Sequence, residues 1–373
     1  MPDAGKAPGV ASGFILAYRL FDVAYAIDLV QAEETWARTA RTGSSRGRLT
    51  TPPKAISFGE PPVAIGLGTV ALALPDGSAQ AAATARLFDF GVVSIALRVP
   101  VAGLSWSAFT RRVNDMDRAV GVAPATVLWT ELLDRVREGV GGALIRPIPV
   151  TLEEDYLVGV ATAFSESIPA EALAARLDLV PLLSGEQRKL SEGARRDLLR
   201  HQYSYYTDDL VVLTWDRAFI YEPRGDTDVI DVLEVANAQL LEMRYYDELL
   251  DAELPRMYDL VEATRRRWAL PGARRFADLA RRLYTMVAEV TELTEKVDNA
   301  LQVTEDVYLA RIYAAALELF RVPTVSAAVD RKLSIIRDTY TALYDEAHSS
   351  RSEWLEIVIL VLIAVEIVLA VVR

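Results

Sequence analysis

Apolar positions in the first 225 residues come in short runs, whereas later ones recur at helical spacing. Gly13–Phe21 reads as a strand. Asp28 is placed to cap a helix carrying Leu29, Ala32, Glu33 and Trp36. A polar, basic loop spans residues 40–54. Three apolar runs follow, Val63–Leu74, Ala82–Phe88 and Gly91–Val99, punctuated by Gly66, Gly68 and Asp76-Gly77 as turns or bulges. Leu104–Met116 and Ala125–Val140 read as helices, the second opened by Pro124. Tyr156–Phe164 is a further strand, Leu173–Leu183 a short helix or a helix plus a turn, and residues 186–207 a polar helix. Leu210–Thr214 and Ala218–Tyr221 make a hairpin around Trp215-Asp216-Arg217. Strands scattered between helices predict an α+β fold: a mixed α/β domain over 12–225, of a ferredoxin-like or related sandwich type, behind a mobile tail at 1–11.

Beyond Gly225 no β-like run appears. Helices are expected over about Asp228–Leu250 and Glu253–Trp268, with Pro271-Gly272 and Pro323 as breakers. Leu279, Leu283, Met286, Val290, Leu293, Val297 and Ala300 alternate spacings of four and three. So do Val329, Leu333, Ile336, Tyr340, Leu343 and Ala347. These are heptad seams, which predict a helical hairpin, bundle or coiled coil over 226–349. Such seams close either within one chain or between chains.

The segment 350–373 has another character. Trp354–Val372 is 19 residues whose only polar members are Glu356 and Glu366. As a helix it extends about 28 Å, close to the hydrocarbon thickness of a bilayer. Trp354 and Arg351 sit where interfacial residues belong, and Arg373 can snorkel at the far end. This predicts a single C-terminal transmembrane tail anchor, the bulk of the chain lying in the cytoplasm of a bacterial inner membrane. Glu366 either bonds a second helix or reaches the far interface. The N-terminus carries no cationic region followed by an apolar core, so no secretory signal is expected there.

Composition narrows the chemistry. The 373 residues include no Cys and two His, His201 and His348, which removes disulfides, Cys-based metal sites and a cysteine nucleophile. The net charge of −12 disfavours non-specific nucleic-acid binding by the chain as a whole. No P-loop, Gly-x-Gly-x-x-Gly, His-Glu-x-x-His or Gly-x-Ser-x-Gly occurs; Gly66-Leu67-Gly68 reads as a strand or turn feature. Glu153-Glu154-Asp155 and Asp208-Asp209 read as solvated turns before Mg²⁺ sites. No cofactor and no catalytic residue is expected.

One local patch departs from the overall charge. Arg265, Arg266, Arg267, Arg274, Arg275, Arg281 and Arg282 are seven Arg in 18 residues. Arg256–Arg282 carries eight basic and three acidic residues, a net of +5, while Leu283–Ala310 carries −5. The stripe suits RNA, a ribosome or anionic lipid, or it pairs with the acidic stretch of a neighbouring helix or chain.

The junction His348-Ser349-Ser350-Arg351-Ser352-Glu353-Trp354, with Ile357, Ile359, Ile363 and Glu366 beyond it, resembles the C-terminal signature of the "required for meiotic nuclear division" family. Asp330-Arg331-Lys332-Leu333, Ala236-Asn237-Ala238-Gln239-Leu240 and Phe90-Gly91-Val92-Val93 are similar to further segments of that family. The resemblance implies a C-terminal transmembrane helix with an embedded Glu; mitochondrial members are membrane-anchored and associated with mitochondrial translation. The 35 Arg against 5 Lys point to a bacterial relative. The expected function is a tail-anchored, homo-oligomeric membrane scaffold that is not an enzyme. The alternative is a membrane-tethered adaptor for RNA, a ribosome or anionic lipid through the Arg265–Arg282 stripe; membrane lipid, a second copy of the chain and another membrane protein are the other expected partners.

Overall fold

The computed structural model describes residues 7–39, 44–46, 61–121, 126–150, 152–166, 168–186, 188–265, eight positions within 281–291, 306–339 and 341. The chain divides into two compact units. The first takes residues up to Glu242 together with Lys296–Pro323, and the second takes Met243–Glu295 and everything after Pro323. The α/β unit therefore extends past the expected boundary at 225 and includes a returning helix.

The first unit is a mixed α/β structure around one large sheet. Its strands are β1 (Val10–Asp22), β3 (Ser44–Arg46), β4 (Val63–Leu74), β5 (Gly77–Leu87), β6 (Val92–Leu104), β8 (Glu153–Phe164), β9 (His201–Tyr203), β10 (Leu210–Leu213) and β11 (Arg217–Tyr221). They lie in the order β3-β4-β5-β6-β1-β8-β11-β10-β9. A small second sheet pairs β2 (Ala24–Ile27) with β7 (Leu144–Pro147). Every described pairing is antiparallel except that of β11 with β8. A ferredoxin-like sheet sets its first strand between two antiparallel neighbours, and β1 is flanked in that way by β6 and β8. The sheet as a whole is larger than that four-stranded type, with nine strands and a parallel β8–β11 pair.

Both faces of the sheet centre are buried, which is why β1, β8, β10 and β11 read as unbroken apolar runs. On one face, Ile15, Ala17, Phe21, Leu157 and Phe219 join a core with α1 (Leu29–Thr39), α2 (Trp106–Val120) and α3 (Thr126–Val140). Asp28 Oδ1 accepts from Gln31 N at 2.9 Å, the expected cap of α1. On the other face, Phe14, Leu16, Tyr18, Leu20, Val158 and Ile220 are buried too. The helix α7 (Asp228–Arg265) belongs to this side in its first turns, where Ile230–Ala238 are all buried. Asn237 Nδ2 donates to the Tyr18 hydroxyl at 3.0 Å, and Phe320, just after the Val307–Leu319 helix, meets Tyr156 edge-on at 5.4 Å.

Several boundaries differ from the sequence expectation. Val10 and Ala11 belong to β1 rather than to a tail. The polar helix expected over 186–207 shrinks to α6 (Glu192–Leu198), followed by the edge strand β9. Leu173–Leu183 resolves into α4 (Ala170–Arg176) and α5 (Val180–Ser184). The two helices expected between Asp228 and Trp268 are one helix that absorbs Pro255.

In the second unit, the Lys332 ammonium lies 2.7 Å from Asp247 and 2.6 Å from Asp251, tying α7 to the Val322–Thr339 helix. Val290, Leu333 and Ile336 are buried within one chain. Among the described residues no single helix is long and apolar enough to cross a membrane. Trp354–Val372 lies outside those residues.

Candidate functional site

Strand β8 and the β10–β11 turn bring polar side chains together at one end of the sheet. Thr214 and Arg217 close the turn: Thr214 N donates to Arg217 O at 2.8 Å, and Arg217 N donates to Thr214 Oγ1 at 3.0 Å. Below it, the Tyr156 hydroxyl lies 2.9 Å from the carbonyls of both Thr214 and Arg217 and shares its proton between them. The Arg217 guanidinium runs under α2, donating to Asn114 Oδ1 at 2.7 Å, Leu182 O at 3.0 Å and Asp117 Oδ2 at 2.6 Å. Gly185 makes room for it, since a Cβ there would sit 2.5 Å from an Arg217 nitrogen. Arg19, itself fully buried, contacts Glu153 at 3.3 Å and Val120 O at 3.3 Å and lies 5.2 Å from the Trp129 ring.

A cleft of about 560 Å³ opens beside this network, lined by Glu154, Asp155, Trp215, Asp216, Asn237 and the Leu319–Arg321 segment. Trp215 is 71% exposed. Burial pushes the Asp155 and Asp216 carboxyls up, opposed by Arg19 and Arg217 at the first and by Arg217 at the second. The arrangement holds carboxylates against an exposed indole, while its cations and hydroxyls are committed to hydrogen bonds within the fold.

A second groove, of about 370 Å³, lies between the first turns of α7 and strands β4–β6. Here Arg86 on β5 donates to Glu234 at 2.5 Å and to Asp231 at 2.8 Å. Burial raises the Glu234 carboxyl, and Arg86 draws it back down. Arg98 on β6 lies 3.7 Å over the Phe14 ring.

Among the described residues no group of three or more His, Asp or Glu is placed to hold a metal ion. Asp209 accepts from Ser204 Oγ at 2.9 Å, Tyr205 N at 2.8 Å and Tyr206 N at 2.9 Å, so that half of the Asp208-Asp209 pair shapes a turn. Glu153-Glu154-Asp155 begins β8, and His201 sits on β9 at the edge of the sheet. Gly68, at φ 86°, marks a bulge in β4.

Of the basic stripe, Arg265 ends α7, while Arg281 and Arg282 are helical and exposed. Arg266, Arg267, Arg274 and Arg275 lie outside the described residues, as do Leu279, Leu283, Met286, Leu293, Val297, Tyr340 and Leu343 of the seams. The anchor residues Arg351, Trp354, Glu356, Glu366 and Arg373 lie outside them as well. Sequence reading missed Arg86, Ser94, Arg98, Asp231 and Glu234 as a cluster. The available signal was a cation at an outward position of an apolar strand, Arg86 in Ala82–Phe88.

Residues 12–227, the α/β part, match the family described as "Uncharacterized protein MJ0711, N-terminal domain". The chain is 27% identical over 193 residues to the uncharacterized protein MJ0711 of Methanocaldococcus jannaschii, an alignment covering 52% of this chain and 58% of that protein. No solved structure shows significant similarity. With more than half of its residues matched, the chain belongs to the family of the MJ0711 N-terminal domain.

Proposed function

We propose that the chain is a membrane-anchored scaffold whose α/β unit is a binding module on the cytoplasmic side of a bacterial inner membrane. The observation that carries this reading is the 19-residue apolar segment Trp354–Val372, of bilayer-spanning length. The likeness of His348–Glu366 to the membrane junction of the "required for meiotic nuclear division" family supports it. Commitment of Tyr156, Arg217, Asn114 and Asp117 to bonds within the fold favours binding over catalysis. Confinement to a plane raises the effective concentration of chains and favours self-association. Full-length protein is expected to pellet with membranes and resist carbonate extraction, and a chain truncated after Ser349 to stay in solution. A full-length chain in the soluble fraction would remove the reading.

A second reading rests on the Arg stripe, of which Arg281 and Arg282 are exposed on a helix. In it the anchored chain is an adaptor for RNA, ribosomes or anionic lipid. Steep loss of RNA binding between 50 and 200 mM salt is its expected signature, as counterion release requires at about that range.

A further inference from the structure

We propose that the groove between the first turns of α7 and strands β4–β6 binds a small amphiphilic carboxylate, its head on Arg98 and its apolar body along the sheet. The groove is laid out by three rungs of the β5–β6 ladder, Ala82 opposite Arg98, Thr84 opposite Ala96 and Arg86 opposite Ser94. Alternate positions of a strand share a face, so these six side chains line one surface. Between its two arginines the floor is small, Ala64, Ala82 and Ala96, where the adjoining strand β1 presents Phe14 and Leu16. The volume left open, about 370 Å³, is that of a small-molecule site.

Charge decides which end does what. The Arg86 guanidinium is matched by Asp231 and Glu234. Arg98 has no carboxylate partner and donates no hydrogen bond among the described residues; its guanidinium is held flat against Phe14 at 3.7 Å. Stacking fixes the plane of a guanidinium and leaves its N–H edge free for bidentate contact with a carboxylate. At the opposite end, buried Ser94 lies beside Glu234 and Arg86 is closed off by its two carboxylates. Arg98 and Ser94 are four residues apart on one strand, about 13 Å, which sets the ligand's length. Asp231 and Glu234 at the Ser94 end repel a carboxylate, so the head is directed to Arg98. The proposal is independent of the membrane anchor.

The test is calorimetric titration of the full chain, in detergent-matched buffer, with octanoate, acetate and octylammonium. Octanoate is expected to saturate one site, while acetate and octylammonium do not. Arg98→Gln, at an exposed position, is expected to weaken octanoate at least tenfold. Ala82→Phe, which fills the floor, is expected to abolish saturable binding, and Arg112→Gln, whose partner Asp76 lies elsewhere, to leave it intact. Thermal unfolding confirms that each variant is folded. Non-saturable octanoate uptake, equal uptake by wild type and both groove variants, or equal binding of octylammonium would each overturn the proposal.

Discussion

Arg86 on β5 and Glu234 on α7 are 148 residues apart in sequence, and their side chains meet at 2.5 Å. With Asp231 at 2.8 Å, Arg86 is the electrostatic tie between the sheet and the first turns of α7. Removing the cation leaves two nearly buried carboxylates without their counter-charge. Arg86→Ala is expected to lower stability by about 3 kcal/mol, the size of effect seen when one partner of a buried pair is deleted. The double change Arg86→Ala/Glu234→Ala should cost clearly less than the sum of the single ones. Chemical denaturation of the four proteins reads both numbers; additive losses would show that the pair is not coupled.

Gly91 stands at φ 96°, and a Cβ on it would lie 1.8 Å from the carbonyl oxygen of Ala24. Only glycine permits this approach between the turn before β6 and strand β2. Gly91→Ala is expected to destabilise the first unit by about 3 kcal/mol or more, through backbone strain and a backbone clash together. A denaturation midpoint within experimental error of wild type would contradict this placement.

Asp22, at the end of β1, is 4% exposed, and its Oδ2 has no hydrogen-bond partner among the described residues. Burial pushes its carboxyl from an ordinary 3.8 up to about 7. The folded protein therefore holds a proton that the unfolded chain releases, so stability falls as pH rises from about 4 to about 7 and levels off above. Asp22→Asn mimics the protonated acid. Its stability relative to wild type is expected to rise across that window, gaining roughly 2–4 kcal/mol by pH 8. Denaturation curves at pH 5 and pH 8 check the sign; a wild-type-minus-Asn difference that does not change with pH would refute it.

Much of the first unit was legible in sequence because its elements follow local rules. The apolar runs at Gly13–Phe21, Val63–Leu74 and Tyr156–Phe164, the Asp28 cap, and the hairpin around Trp215-Asp216-Arg217 all recur in the fold. The sheet order was not legible, since pairing of β1 with both β6 and β8 is set by contacts 70 or more residues apart in sequence. The stretch around His201 misled because its strand is three residues long and sits at the sheet edge. Pro255 falls close to the start of the expected Glu253–Trp268 helix, yet α7 continues through it from Asp228. The Arg86–Asp231–Glu234 cluster escaped notice because each member looks like an ordinary outward charge on its own element. Only the docking of α7 on the sheet turns three such charges inward together.

Leu333 and Ile336, seam positions with heptad spacing, are 7% and 1% exposed within one chain. A Leu333→Asp change thus places a carboxylate into an intramolecular contact. It is expected to destabilise the second unit by about 3 kcal/mol, with the loss appearing as faster amide exchange in the Val322–Thr339 helix. A variant that keeps wild-type exchange protection there, yet shows a smaller mass in light scattering, would place this seam between chains instead.

The proposed anchor puts Trp354–Val372 in a membrane with the α/β unit on the cytoplasmic side. Because Cys is absent from all 373 residues, single cysteines report position without background. Ser349→Cys and Ile363→Cys are compared in sealed vesicles of both orientations, using a membrane-impermeant maleimide. Ser349→Cys is expected to label in inside-out vesicles alone, and Ile363→Cys in neither until detergent is added. Labelling of Ile363→Cys in intact vesicles as fast as Ser349→Cys would contradict it.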